Sequence, residues 1–420
     1  MGAPPWPPFF WRRALLVRDG GHGGPPIQTM LMKINGRAAL SLLLLIVTVI
    51  APGCNSSQSN SNRAAPQASV KPARWLPQFR SPSTLSYAGT NLAVFFYSGI
   101  SVVSPSDVFV CGDMPLAGEQ RVGVFLKTTD GGQTWTESPV QLPKIEIPSL
   151  NAIHFISPDV GWMVGVDSGD DGVVLKTTDA GSSWSVTRLS YKQIPVTVFF
   201  TDAQTGWLGG VTKPRGEEQG NVGGPSAILA TTDGGSTWQP QYNVPVSVYR
   251  IFFVDRMNGW ASATNGKIYN TSDGGRTWNS QRTEMEFAEG PVDLTSDAAK
   301  QFAMRSVHFA DKDHGFAAAS AMKKEPSGRV IATSDGGKTW RRTWIVADSG
   351  VRDVFLISAN EGWALTERGP YVYHTVDGGR SWLSEPKVFE QDVVLARLGA
   401  ADPSHVWAVG GGAIFFRVSE

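Results

Sequence analysis

One eight-residue unit, Thr-x-Asp-x-Gly-x-x-Trp, is written six times in this chain of 420 residues. It occurs first as Thr128-Thr129-Asp130-Gly131-Gly132-Gln133-Thr134-Trp135, and next with Asp179 and Trp184. Later units carry Asp233, Asp273, Asp335 and Asp377, with Trp238, Trp278, Trp340 and Trp382. Successive aspartates lie 49, 54, 40, 62 and 42 residues apart. A period of that size is one four-stranded blade of a β-propeller. The residue types suit a tight turn: Thr and Asp oxygens accept from nearby backbone N–H groups, and Gly supplies positive φ. The tryptophan then buries a large ring as the next strand begins.

A second repeat precedes each turn: an apolar strand, a polar turn, then Gly-Trp and another apolar strand. It reads NAIHFISPDVGWMVGV at 151–166 and YRIFFVDRMNGWASA at 249–263, with relatives at 196–211, 305–319 and 352–366. Degenerate versions stand at 100–112 and 397–410, making seven strand pairs against six turns. The fold expected is all-β, a seven-bladed propeller over 75–420. Its last blade begins at Arg397 and ends on the strand 412–418 without a fourth. A segment around Trp75–Phe79 or Leu92–Tyr97 is expected to supply it, which removes an open sheet edge.

Residues 38–50 form an apolar run of 13 behind Lys33 and Arg37. A spanning helix needs roughly 20, so the run reads as a secretory signal. Ala51-Pro52-Gly53-Cys54 resembles a bacterial lipoprotein box, with Ala51 where that pattern usually has Leu. The resemblance implies lipidation of Cys54 and an extracytoplasmic protein anchored to a bacterial membrane, in the periplasm or at the cell surface. Residues 1–29 read as an over-extended start, 30–53 as the signal peptide and 54–74 as a flexible tether. About 20 such residues reach about 25 Å.

Lys and Arg total 37, as do Asp and Glu. Without residues 1–53 the balance is 32 basic against 36 acidic. No large basic face is available to neutralise nucleic-acid phosphates. Two cysteines, Cys54 and Cys111, make no disulfide framework, and six scattered histidines have no metal-ligand spacing. His154 and His308 share one strand position in two blades and read as packing. Asp167-Ser168-Gly169-Asp170-Asp171-Gly172 lacks the alternate-residue ligands of a calcium loop. No metal or cofactor is expected, and the chain is read as a monomer.

The six turns are identified as Asp-boxes, or bacterial neuraminidase repeats. Propellers with them include sialidases, xyloglucan hydrolases, sortilin ectodomains and photosystem II stability/assembly factor-like proteins. The pairing of a Gly-Trp strand turn with Thr-x-Asp-Gly-Gly-x-Thr-Trp looks most like the last group. That resemblance implies a non-enzymatic protein that binds a membrane protein or complex during assembly. The alternative it leaves is a sialidase-like or other glycan-binding or glycan-cleaving propeller. Tyr249-Arg250-Ile251-Phe252 comes nearest to the sialidase arginine motif and lacks its proline. Box aspartates occupied by backbone N–H groups are poor catalysts, and no catalytic residue is assigned.

One pattern goes beyond the fold. Near the starts of the inner strands of blades four to seven stand Arg250, Arg305, Arg352 and Arg397. The first three blades have Ser98-Gly99, Asn151-Ala152 and Val196-Thr197 there. Inner strands line the central channel, so four arginines make a positive arc at one mouth, suited to carboxylates. Arg305 and Arg352 sit one position earlier than Arg250 and Arg397, so simple strand alternation turns them apart. Local acids such as Asp353 or Asp255 offer competing ion-pair partners. The long connections 211–226, 281–304 and 320–328 are further recognition candidates.

Overall fold

The computed structural model describes residues 73–81, 96–116, 120–212, 225–281, 285–287, 290–292, 302–321, 327–347, 349–367, 372–385 and 393–419. All lie within the compact unit spanning 68–420. Every regular element among them is a strand. Seven four-stranded antiparallel sheets form the blades. Their inner strands are Phe96–Val102, Ser149–Phe155, Ile194–Phe200, Val248–Phe253, Phe302–Phe309, Val351–Leu356 and Leu395–Asp402. In blades one to six the second, third and outer strands follow in chain order. A two-stranded hairpin, Met285–Phe287 with Gly290–Val292, lies between blades four and five in the chain.

The seventh blade is closed from the other end of the chain. Strand Ala73–Arg80 pairs antiparallel with Ala413–Ser419, from Ala73 opposite Ser419 to Arg80 opposite Ala413. Of the two segments expected to close it, the one containing Trp75 does so. The other runs into the inner strand of blade one, which starts at Phe96.

Each box is a closed hydrogen-bonded turn. The Thr128 hydroxyl accepts from the Gly132 N–H at 2.9 Å and donates to Asp130 Oδ1 at 2.7 Å. Asp130 then accepts from the Thr134 N–H at 2.9 Å and from its hydroxyl at 2.6 Å. Gly131 and Gly132 take φ of 73° and 86°, the left-handed region in which a side chain is strained. The same bonds recur at Asp179, Asp233, Asp273, Asp335 and Asp377.

Blades are joined by rings. Trp162 of blade two stacks on Phe200 of blade three, and Trp238 meets that phenyl ring edge-on. Trp207, Phe253 and Trp278 repeat the arrangement, as do Trp260, Phe309 and Trp340. Between blades one and two, Phe109 replaces the first tryptophan against Phe155. A second tie runs from each blade to the box of the next. The first carbonyl after the box aspartate accepts from Gln78 (at Gly131), Lys127 (Ala180), Trp162 (Gly234), Gln241 (Gly274), Trp260 and Gln281 (Gly336) and Arg341 (Gly378). Blade seven has no box, and the buried Trp363 indole N–H has no hydrogen-bond partner among the described residues.

Candidate functional site

The strand order sets two faces. Boxes and inner-to-second turns lie on one; the starts of the inner strands lie on the other. The strands joined by the long connections 211–226, 281–304 and 320–328 also end on this second face, although most of those connecting residues lie outside the described ones.

Every inner strand carries a register shift near its start, between Tyr97 and Gly99, Leu150 and Ala152, Pro195 and Thr197, Val248 and Arg250, Met304 and Ser306, Val351 and Asp353, and Leu395 and Arg397. The residue skipped is Ser98, Asn151, Val196, Tyr249, Arg305, Arg352 or Ala396. Arg305 and Arg352 therefore occupy the bulge, and Arg250 and Arg397 the position after it. A bulge re-aims its side chain, so the alternation argument that turned these pairs apart does not hold here. Burial pushes the Arg397 guanidinium down to about 10, Asp353 opposes that, and Arg250, Arg352 and Arg305 all add repulsion. The four arginines thus share one electrostatic field.

Their surroundings differ. Arg305 lies over the Tyr249 ring, 5.0 Å from its centroid, and its Nε stands 3.4 Å from a Glu367 oxygen. Arg352 is pushed down by burial, with attraction from Glu367 and Asp353 and repulsion from Arg305. Arg397 donates to its neighbouring Ala396 carbonyl at 3.0 Å. Half-buried Arg250 has no hydrogen bond or ion pair among the described residues. Asp255 caps its own turn by accepting from the Met257 and Asn258 N–H groups and pairs with no arginine among the described residues. Asp353, buried, accepts from the Ser306 hydroxyl at 2.6 Å and the Leu398 N–H at 2.9 Å while attracting Arg397. Glu367 was not singled out in the sequence, because its partner Arg305 belongs to the preceding blade.

Two residues further along the inner strands lies a belt of rings. His154, Phe199, Phe252, His308 and Phe355 come from five consecutive blades. The pairs His154–Phe199, Phe252–His308 and His308–Phe355 have centroids 4.4, 4.2 and 4.2 Å apart. Burial holds His154 down at about 4 and His308 at about 3, and Arg250 lowers both further. His154 Nε2 donates to the Phe200 carbonyl at 2.9 Å, and His308 Nδ1 accepts from the Leu356 N–H at 3.2 Å. Both are packing groups that stitch neighbouring inner strands.

The remaining candidates are structural. Asp167 accepts from the Gly169 and Asp171 N–H groups and from Arg188 Nε at 2.7 Å, closing a turn. Buried Cys111 has its thiol pushed up to about 12 by desolvation. No group of three metal-ligating side chains forms among the described residues. Cys54 lies outside them.

Residues 115–206 match the family described as photosynthesis system II assembly factor YCF48. A relative, the photosystem II assembly lipoprotein Ycf48 of Synechococcus sp. (strain CC9902), is 23% identical over 223 residues, 52% of this chain and 57% of that protein. Over these segments the chain resembles photosystem II assembly factor-like proteins. The match spans little more than half the relative's length. A solved structure titled YCF48 bound to D1 peptide superposes with a TM-score of 0.56 at 17% identity, covering 84% of this propeller chain and 99% of the other. The GH74 xyloglucanase of Xanthomonas campestris gives 0.54 at 12% identity, covering 82% and 53%. At such identities these two superpositions establish the propeller fold.

Proposed function

We propose that this protein is a non-enzymatic, extracytoplasmic propeller lipoprotein that binds a protein partner at the arginine mouth and serves the assembly or stability of a membrane complex. One observation carries the reading: four arginines from consecutive blades share one electrostatic field at a channel mouth, and Arg250 has no ion-pair partner among the described residues. A partner carboxylate would relieve that repulsion and take up Arg250's forked donors. The matched relatives support the assembly role, since the family is described as an assembly factor and the Synechococcus protein as an assembly lipoprotein.

Binding is favoured over hydrolysis by the state of the described mouth carboxylates. Asp353 is engaged by Ser306 and Leu398, and Glu367 faces Arg305. A glycosidase needs two available carboxyls roughly 5–9.5 Å apart. The test is capture of a client from detergent-solubilised membranes of the source organism by bead-bound protein. Arg250→Gln, which breaks no ion pair or hydrogen bond among the described residues, is the probe of choice. Loss of a captured membrane protein with unchanged melting temperature supports the reading. Equal capture by wild type and variant opposes it.

A further inference from the structure

The junction of blades five and six departs from the ring pattern of the junctions between blades two and five. Phe316 stands where blades two, three and four have Trp162, Trp207 and Trp260. Leu356 stands where the next inner strand otherwise offers Phe200, Phe253 or Phe309. Two smaller side chains leave space, and a cavity of about 140 Å³ opens on the box face. It is large enough for several waters.

The lining is basic and polar. Arg341, Arg380, His314, Asn360, Ser334 and Thr333 supply its polar side chains, and no carboxylate-bearing residue among the described ones lines it. Arg341 donates one N–H to the Gly378 carbonyl at 2.6 Å, and Arg380 donates one to the Asp377 carbonyl at 3.3 Å. Neither guanidinium has an acid within ion-pair distance among the described residues; Arg380 repels Arg341, and Asp377 attracts it more weakly. The Asp377 carboxylate nearby is held by Thr375 and Ser381. The Asn360 side-chain amide and Ser334 hydroxyl make no hydrogen bond among the described residues. Nδ1 of His314 faces Asp311 at 2.9 Å.

We infer that this cavity binds a small tetrahedral oxyanion, phosphate or a phosphoryl group, between Arg341 and Arg380. Two guanidiniums present planar forks suited to such oxygens, with the amide and hydroxyl as further donors. The site lies on the box face, opposite the arginine mouth, and does not rest on the reading of that mouth.

The experiment is calorimetric titration of inorganic phosphate into the full-length protein at low salt, with acetate as a second titrant. Wild type should bind one phosphate per chain and take acetate at least tenfold more weakly. Arg380→Gln should weaken phosphate at least tenfold; the first box carries Gln133 at this position, so the turn tolerates the change. Arg250→Gln should leave phosphate binding unchanged. No binding by wild type, equal binding by Arg380→Gln, equal affinity for acetate, or loss in Arg250→Gln alone would each overturn the assignment.

Discussion

The Trp75 indole donates to the Glu385 carboxylate at 2.6 Å, joining residues 310 positions apart in the chain. Trp75 lies in the strand that closes blade seven, and Glu385 follows the outer strand of blade six. The other carboxylate oxygen accepts from buried Arg417 Nε at 2.6 Å, and His374 stands 3.5 Å from it. Trp75 packs in one cluster with Trp363, as a box tryptophan packs in other blades. Where the seventh box is missing, a buried polar clasp holds the ring shut.

Removing one member of that clasp leaves the other charge buried. Glu385→Ala should cost about 3–5 kcal/mol, whereas Glu385→Leu with Arg417→Met should cost far less. Urea unfolding compares them. Limited proteolysis should also release the N-terminal strand earlier in Glu385→Ala than in wild type.

The ring belt makes stability acid-sensitive. His154 and His308 have folded values of about 4 and about 3, below the ordinary 6.5. The unfolded chain then binds more protons below pH 6.5, so stability falls as pH drops from there toward 4 and 3. The slope is about 1.4 kcal/mol per pH unit for each histidine. Phe occupies their strand position in blades three, four and six. His154→Phe with His308→Phe should therefore flatten the melting temperature between pH 6.5 and 4. An unchanged slope would place the sensitivity elsewhere.

Below that window the boxes take over. Asp130, Asp179 and Asp273 are held at about 2, chiefly by hydrogen bonds from Thr134, Ser183 and Thr277. Depressed acid values stabilise the fold above the unfolded value near 4, and that contribution is lost as pH falls through 2. At neutral pH, Thr231→Val removes the buried hydroxyl that accepts from Gly235 and donates to Asp233. It should cost about 1–3 kcal/mol by thermal or urea unfolding.

Filling the odd junction should do two things together. Phe316→Trp with Leu356→Phe gives this junction the Trp and Phe found at the junctions between blades two and five. It should stabilise by about 0.5–2 kcal/mol as a cavity-filling change and abolish phosphate binding. Stabilisation with phosphate binding intact would place the oxyanion elsewhere.

The blade count was legible because one turn chemistry recurs, and a turn that needs Thr, Asp and Gly at set offsets leaves a pattern in the chain. Closure by an N-terminal strand followed from a third strand lacking a fourth. The ties between blades were not legible: Gln78, Lys127, Trp162, Gln241 and Arg341 do one job from different strands and offsets. The mouth was half legible. Arg250, Arg305, Arg352 and Arg397 could be named, but a bulge leaves no residue signature, so strand alternation is no guide to their direction. Glu367 and the Phe316/Leu356 cavity emerge only when blades are set side by side.

The central claim is that the arginine mouth holds a partner, and capture from solubilised membranes tests it most directly. Wild-type protein should retain a membrane protein that Arg250→Gln loses at unchanged melting temperature. Retention of the same protein by both forms, or of none by either, would contradict it.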